Sequence, residues 1–270
     1  MNDLLAERYD EIVHRLAVGV EPRDGLRATR TGGAGLDVTL EHPSAPVAAR
    51  PLAHAGGRWS IRYVRRLPDH VDLRIDDASR RFVPRRMRFP IVAIADVLAD
   101  EAAGGHTPAL RRTWRPMLFP GAAYALASSA TGLRGRVLRD DRPVRWARVE
   151  ARLPGSPSVL WRAHGDDRGE FLLAVGADPG GHAELPALMT LSITAIGPDP
   201  APAAPAGGTS DRLWDMPIEL LAAPASPAAD DPVSLGETLP TDYDPGVTFT
   251  RTVDLIPGQI RSDVAPFVLA

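Results

Sequence analysis

Residues 132–139 read GLRGRVLR, and residues 145–152 read RWARVEAR. Both runs alternate apolar or small side chains with charged ones, a period of two that is typical of half-buried β-strands. Asp140, Asp141 and Pro143 lie between the runs and predict a tight turn. A second turn, Asp166-Asp167-Arg168-Gly169, leads into Glu170 and the apolar residues 171–173. This part of the chain therefore predicts a β-sandwich.

Composition extends the all-β prediction to the whole chain. Of the 270 residues, 27 are proline and 24 are glycine, and they are dispersed along the sequence. This distribution disfavours helical bundles and is typical of many short strands joined by turns. We therefore expect an all-β fold with two β-sandwich-like domains, because the chain is longer than one typical domain.

The expected organisation has five parts, with a short helix at 93–102 inside the second. They are an N-terminal helix (1–20, with apolar Leu4, Leu5, Ile12, Val13 and Leu16), a first β-domain (21–105), a connector (106–131), a C-terminal sandwich (132–255, with a strand expected at 212–221) and a tail (256–270). The helix needs an apolar surface for docking, on its own domain or on a partner subunit.

Charge and residue usage exclude several classes of protein. The net charge is −3, and aromatic residues are not interleaved with the arginines, so nucleic acid is not an expected partner. Cysteine is absent, which excludes disulfides and thiolate metal sites. The first residues lack the apolar region of a secretory signal, and no stretch has the length of a membrane helix. We expect a cytoplasmic protein without a membrane segment, or one released as part of an assembled particle.

No catalytic, cofactor-binding or metal-binding residues are predicted. The histidines lack zinc-motif spacing, no Gly-x-Ser-x-Gly elbow is present, and the glycine-rich residues 31–35 lack the lysine of a phosphate-binding loop. Paired aspartates such as Asp166-Asp167 lack the spacing of a calcium loop and are better explained as turn residues.

Residues 132–171 resemble the carboxypeptidase regulatory-like family. The resemblance rests on the order of Gly135-Arg136-Val137, Arg142-Pro143-Val144, Ala147-Arg148-Val149 and Asp167-Arg168-Gly169-Glu170-Phe171. It implies a transthyretin-like sandwich in the C-terminal half, a module that serves as a scaffold in many proteins and says little about function. Gly169 permits the positive φ of a tight turn, and Asp167 can accept hydrogen bonds from the backbone amides of that turn. Phe171 is expected to fill the core directly after the turn.

A second resemblance concerns the whole chain. Residues 79–90, rich in arginine, are followed by Arg115-Pro116-Met117-Leu118-Phe119-Pro120-Gly121 and then by the C-terminal sandwich. This succession resembles accessory structural proteins of phage-tail-like contractile injection systems, at the cap or the tube terminus. The resemblance implies partner subunits in a larger, homo-oligomeric or ring-forming assembly.

Three features are candidate protein contacts. The first is the arginine cluster of residues 80–88, which is either a charged strand edge that resists pairing or a contact with an acidic neighbour. The second is Trp146 with Arg148, either a surface anchor or covered by the rest of the chain. The third is the apolar tail, suited to docking by strand addition or as a plug. The candidate residues are Arg80, Arg81, Arg85, Arg86, Arg88, Trp146, Arg148, Phe267 and Leu269.

These observations favour a non-enzymatic structural or adaptor subunit of a larger assembly. The alternative is a stand-alone binding module that recognises a peptide or a glycan through the loops of its second sandwich. An enzyme ranks third, because no catalytic constellation is visible in the sequence.

Overall fold

Strands dominate the structure. A computed structural model describes residues 15–33, 35–41, 49–176, 187–223, 231–243 and 247–270. Within these ranges the chain has nineteen strands and two α-helices, which confirms the all-β class.

The strands are short, as the dispersed prolines and glycines predict. In chain order they are β1 (Leu16–Val20), β2 (Arg23–Asp24), β3 (Leu36–Leu40), β4 (Leu52–His54), β5 (Arg58–Arg62), β6 (His70–Asp77), β7 (Arg85–Pro90), β8 (Thr113–Trp114), β9 (Met117–Leu118), β10 (Thr131–Arg139), β11 (Arg142–Pro143), β12 (Arg148–Arg152), β13 (Trp161–His164), β14 (Glu170–Val175), β15 (Met189–Ile196), β16 (Ile218–Leu220), β17 (Thr248–Leu255), β18 (Ile260–Arg261) and β19 (Phe267–Val268). The helices are α1 (Ile94–Ala102) and α2 (Pro232–Leu235), and a 3-10 turn covers Ala109–Arg112.

Four main sheets organise these strands. Sheet 1 has the order β4-β5-β1-β8, and sheet 2 has the order β16-β7-β6-β3. In sheet 3, β10 lies beside β14 and β11 and also pairs with β18 and β19. Sheet 4 has the order β13-β12-β15-β17, and a fifth, two-stranded sheet joins β2 to β9.

Core 1 is the apolar cluster shared by sheets 1 and 2. In β6, Val71, Leu73 and Ile75 are buried while the alternate positions face the other side, and Met87 and Phe89 of β7 pair across from them. Sheet 1 contributes residues of β1 and β5 to the same cluster. β6 and β7 thus each turn one face toward the core, as a period of two in the side-chain directions requires.

Core 2 is the apolar cluster shared by sheets 3 and 4. Leu133 and Val137 of β10 meet Ala147 and Val149 there, as the alternation predicts. Gly135 lies opposite Phe171, and a Cβ on it would come within 2.5 Å of the Phe171 ring. Glycine at position 135 therefore makes room for the aromatic plug. The division into two domains and the transthyretin-like fold stay predictions.

The turn before β14 forms as expected, with one exchange of roles. Gly169 has a φ of +69°, and Asp166, not Asp167, accepts the backbone amides of Arg168 and Glu170 at 2.8 and 3.0 Å. Asp167 instead pairs with Arg80.

The helix expected over residues 1–20 is wrong at its carboxyl end. Residues 1–14 lie outside the described residues, whereas Leu16–Val20 form β1 in the interior of sheet 1. Leu16 has helical spacing from the apolar residues before it, but the backbone there is extended because β1 pairs with β5 on one side and with β8 on the other.

Residues 106–131 are not a free connector. β8 pairs with β1, and β9 pairs with β2, both in parallel. Trp114 and Leu118 are each only 1% exposed and belong to core 1. The prolines of this region interrupt the strands without releasing them from the sheets, since Pro116 accepts a backbone hydrogen bond from Arg23.

The strand expected at 212–221 in the C-terminal sandwich belongs to sheet 2 instead. Only Ile218–Leu220 is extended, and it pairs in parallel with Arg86–Arg88 of β7. A chain segment that follows the C-terminal sheets in sequence therefore completes a sheet of the N-terminal half.

The tail, 256–270, is part of sheet 3. β18 and β19 pair in parallel with β10, and Phe267 and Leu269 are 0% and 2% exposed within core 2. The Phe267 ring makes edge contacts with Phe171 and Phe249. The two residues are thus core residues of their own chain, which corrects their assignment as docking residues.

Replacing Phe267 by alanine is expected to destabilise the protein by about 3–5 kcal/mol, because it empties a buried aromatic site in core 2. Val268, the next residue of β19, is the matched control because it is 50% exposed. Val268→Ala should change the free energy of unfolding by less than about 0.5 kcal/mol. Urea denaturation of both variants gives the free energies. Equal, small losses would show that the tail is not packed as described.

Candidate functional site

The arginine cluster does not lie at a strand edge. β7, which carries Arg85, Arg86 and Arg88, is an inner strand of sheet 2, between β6 and β16. Edge protection is therefore wrong as an explanation. The burial of β7 alternates with a period of two, and Arg85 lies on the buried face with Met87 and Phe89.

Arg85 is the centre of a buried polar network, and its side chain is 0% exposed. Its Nε donates to Glu219 Oε1 at 3.0 Å and its Nη2 to Glu219 Oε2, a bidentate pair. Nη1 donates to the carbonyls of Met117 and Ser234, each at 2.8 Å, and Nη2 also donates to the carbonyl of Val233. All five N–H groups of the guanidinium are therefore satisfied, which is what an arginine needs in a core.

Arg148 reaches the same carboxylate from sheet 4. Its Nη2 donates to Glu219 Oε1 at 3.3 Å, and its Nη1 donates to the carbonyl of Trp146 at 2.8 Å. The guanidinium lies 5.5 Å from the ring centre of Tyr243, a cation–π arrangement. Glu219, on β16, is thus shared by an arginine of sheet 2 and an arginine of sheet 4.

Trp146 is buried by its own chain, the second of the two interpretations. It is 2% exposed and packs with Val83, Leu213 and Met216, and its Nε1 donates to Asp215 Oδ1 at 2.8 Å. Its φ of +60° lies in the left-handed region, which costs a non-glycine residue free energy. The contacts around the ring hold the residue there.

The other arginines of the cluster have acidic partners within the chain. Arg86 pairs with Glu41, Arg88 pairs with Asp72 at 2.7 and 2.9 Å, and Arg81 pairs with Asp77. Arg80 makes a bidentate pair with Asp167 at 3.2 and 3.3 Å, which links the β6–β7 turn to the β13–β14 turn. The hydrogen bond from Arg88 lowers the pKa of Asp72.

Residues 211–221, here called the bridging segment, join the two halves. Asp211 accepts a bidentate pair from Arg74 at 2.9 Å, and Arg212 donates to Asp76 at 2.7 and 2.8 Å, both on sheet 2. Asp215, four residues on, accepts from Trp146 and from Arg145 at 2.6 Å. The hydrogen bond from Arg74 lowers the pKa of Asp211.

His164 is a component that the sequence did not single out. Its ring stacks on Phe119 with centres 3.8 Å apart and planes at 22°, and it is only 1% exposed. Burial, together with the positive charges of Arg148, Arg85 and Arg162, lowers the pKa of His164 well below its usual value. Its Nδ1 has no hydrogen-bond partner within the described ranges. His164 is the last residue of β13, and nothing in the sequence around it indicates that its ring is buried against Phe119.

The charged groups of this arrangement are almost completely buried. Arg85, Arg148, Glu219 and His164 are all less than 9% exposed, and burial raises the pKa of Tyr243 so that its hydroxyl stays protonated. That hydroxyl donates to the carbonyl of Trp146 at 2.7 Å. We therefore describe this cluster, called the junction network (Arg85, Arg148, Glu219, His164 and Tyr243), as a connection between sheet 2 and sheet 4.

Several surface grooves lie in the described part of the chain. One, of about 270 Å³, is bordered by Met117 and Phe119 on one side and by Trp161 and Arg162 on the other. A second, of about 580 Å³, lies beside α1, and a third, of about 450 Å³, is bordered by Leu188 and Ile256 at the end of sheet 4. In the described part of the chain, no group of three or more His, Asp or Glu side chains is placed to hold a metal ion.

Comparisons with known proteins give no assignment, since no family model matches the chain and no curated protein or solved structure shows a significant similarity to it. Neither of the two resemblances is tested by these comparisons. Among the described helices, none has the length and apolar character needed to cross a membrane.

Removing the shared carboxylate is expected to weaken the junction network strongly. Glu219→Gln leaves Arg85 buried without its counter-charge, a change that costs about 3–5 kcal/mol in comparable buried pairs. The matched control is Glu170→Gln, because Glu170 pairs with Arg168 at 2.9 Å while both side chains are 44–45% exposed. That pair should contribute less than about 1 kcal/mol. Urea denaturation compares the two, and equal losses would contradict the assigned importance of Glu219.

Acid is expected to destabilise the fold through His164. The pKa of His164 in the folded chain lies below the ~6.5 of an unfolded chain, so the unfolded chain binds one more proton between these values. The stability that neutral His164 provides is complete above pH ~6.5 and falls by up to ~1.4 kcal/mol per pH unit below it.

The measurement is the free energy of unfolding in urea from pH 8 to pH 5. Variants His164→Gln and His164→Phe should both lose the component of the slope below pH ~6.5, whereas His106→Gln, at an exposed histidine, should keep it. Identical slopes for the protein and both His164 variants would exclude His164 as the titrating group.

Proposed function

We propose that this chain is a non-enzymatic structural or adaptor subunit of a larger assembly. The observation that carries the proposal is the junction network, which ties sheet 2, the bridging segment and sheet 4 together through Glu219. The arginines that the sequence predicted as protein contacts are paired with acidic side chains of the same chain. Such a fold supports fixed relative positions of its outer surfaces, which is what a scaffold needs.

The contact surface must then lie elsewhere than the arginine cluster, Trp146 and the buried tail residues Phe267 and Leu269. Three large apolar side chains are 44–50% exposed at the end of sheet 4 that lies away from the junction network; they are Leu153, Leu188 and Ile256. The register of β15 and β17 places residues 188 and 256 opposite each other. We call this surface the distal end.

The distal end has the composition of a protein interface. Two of its apolar residues, Leu188 and Ile256, border a groove that Asp254, Arg261 and Asp263 also line. An apolar centre with a polar, charged rim is the usual anatomy of contacts between protein subunits. The partner proposed for the distal end is a neighbouring protein subunit that has its own apolar centre and charges of both signs at its rim.

The finer form of the proposal is a particle of the phage-tail-like contractile injection type, with this chain at the cap or the tube terminus. Its support is the succession of the arginine-rich residues 79–90, residues 115–121 and the C-terminal sandwich. A homo-oligomeric ring is the arrangement that such a position implies.

The alternative is a β-sandwich module that binds a peptide or a glycan. One observation favours it, namely the groove of about 270 Å³ in which Trp161 is partly exposed beside Arg162 and Glu237. Sugars and peptides stack on such aromatic faces while charged groups fix their orientation. In that case the chain would be a monomer or a dimer.

Sedimentation of native lysate separates the two proposals. An assembly subunit is expected in a fraction much heavier than its 28.9 kDa, and Leu188→Asp with Ile256→Asp should shift it to the light fraction. The control is Leu52→Asp, because Leu52 is 41% exposed on β4, in sheet 1. A light, monomeric chain before any substitution would overturn the assembly proposal. A heavy fraction that the distal substitutions leave unchanged would overturn the distal end as the contact surface.

A further inference from the structure

Helix α1 covers little of the core and leaves its large apolar side chains exposed. Val97 is the one buried residue of this helix, whereas Ile94 is 37% and Leu98 is 45% exposed. A surface helix normally turns its apolar stripe toward the protein. The exposed stripe of α1 therefore indicates a further segment that covers it.

A groove of about 580 Å³ continues this stripe. Its apolar border is formed by Tyr63, Val64, Leu67, Ile91 and Ile94. Arg65 and Arg66 lie at the same groove, both exposed, and neither makes an ion pair with a described residue. The groove thus combines an apolar floor with the guanidinium groups of Arg65 and Arg66, which are unpaired in the described structure, and with one carboxylate, that of Asp69, which hydrogen-bonds to His70.

The chain enters the described structure at this groove. The carbonyl of Arg15 accepts a hydrogen bond from the backbone N–H of Tyr63 at 3.0 Å, and the guanidinium of Arg15 pairs with Glu101 of α1. Arg15 is therefore fixed to Tyr63, which borders the groove, and to helix α1. Residues 1–14, which lie outside the described residues, are joined directly to it.

The chemistry of residues 1–14 matches the groove. They read MNDLLAERYDEIVH, with four large aliphatic residues, Leu4, Leu5, Ile12 and Val13. They also carry four acidic residues and one arginine, a net charge of −3, opposite in sign to Arg65 and Arg66; the charged residues are Asp3, Glu7, Arg8, Asp10 and Glu11. Fourteen residues reach at most ~46–50 Å when extended, so the whole groove is within range.

We propose that residues 1–14 of the same chain occupy the groove beside α1, covering Ile94 and Leu98 and placing acidic side chains at Arg65 and Arg66. The proposal is independent of the distal end, which belongs to sheet 4. It gives the apolar N-terminal residues an intramolecular partner instead of a neighbouring subunit.

The test uses the full chain, whose lack of cysteine makes site-specific labelling clean. Nitroxide labels are attached to Ala6→Cys and Asp96→Cys, and the distance between them is measured by pulsed electron spin resonance. Asp96 is exposed on α1, so its label does not displace the core. A docked segment gives one narrow, short distance, and dilution with unlabelled chain leaves that distance unchanged.

Matched variants identify the groove. Leu98→Asp, and separately Arg65→Glu with Arg66→Glu, should broaden the distance distribution, whereas Leu52→Asp on β4 should not. A broad distribution in the unsubstituted chain overturns the proposal. So does a narrow distance that disappears on dilution, because it would place the segment of one chain on another, and so does a narrow distance that neither groove variant changes.

Discussion

The ion pair between Arg85 and Glu219 is the interaction on which the rest of the structure depends. A buried guanidinium is stable only when every donor has an acceptor and its charge has a partner. Glu219 supplies the charge, and the carbonyls of Met117, Val233 and Ser234 supply the remaining acceptors. One side chain thereby fixes β7, β9, β16 and α2 in their relative positions.

The same carboxylate explains how the two halves are connected. Arg148 brings sheet 4 to Glu219, so two guanidinium groups share one carboxylate, and carbonyl groups and the Tyr243 ring complete the environment. Burial and the two arginine charges make a further positive charge costly there, which is why His164 stays neutral. The bridging segment adds Asp211 and Asp215 on either side of this junction. The polar groups of the interior thus hold the sheets together.

The sequence predicted the sheets better than it predicted their connections. Alternation in β10 and β12 correctly placed Val137 and Val149 in core 2, because a strand with one buried face must show a period of two. Residues 106–131 and 256–270 were misread, because two-residue strands such as β8 and β19 are too short to show any period. Arg85 was misread for another reason: a charged residue is assigned to the surface unless its partner, 134 positions away, is known.

What the amino-acid order determined by itself is the all-β class and the tight turn at Gly169, since these depend on composition and on neighbours in sequence. Only the tertiary structure decided that β16 joins sheet 2, that Trp146 is covered and that His164 lies against Phe119. These outcomes arise from pairs of residues far apart along the chain, and their free energy depends on burial, which no local pattern of side chains encodes.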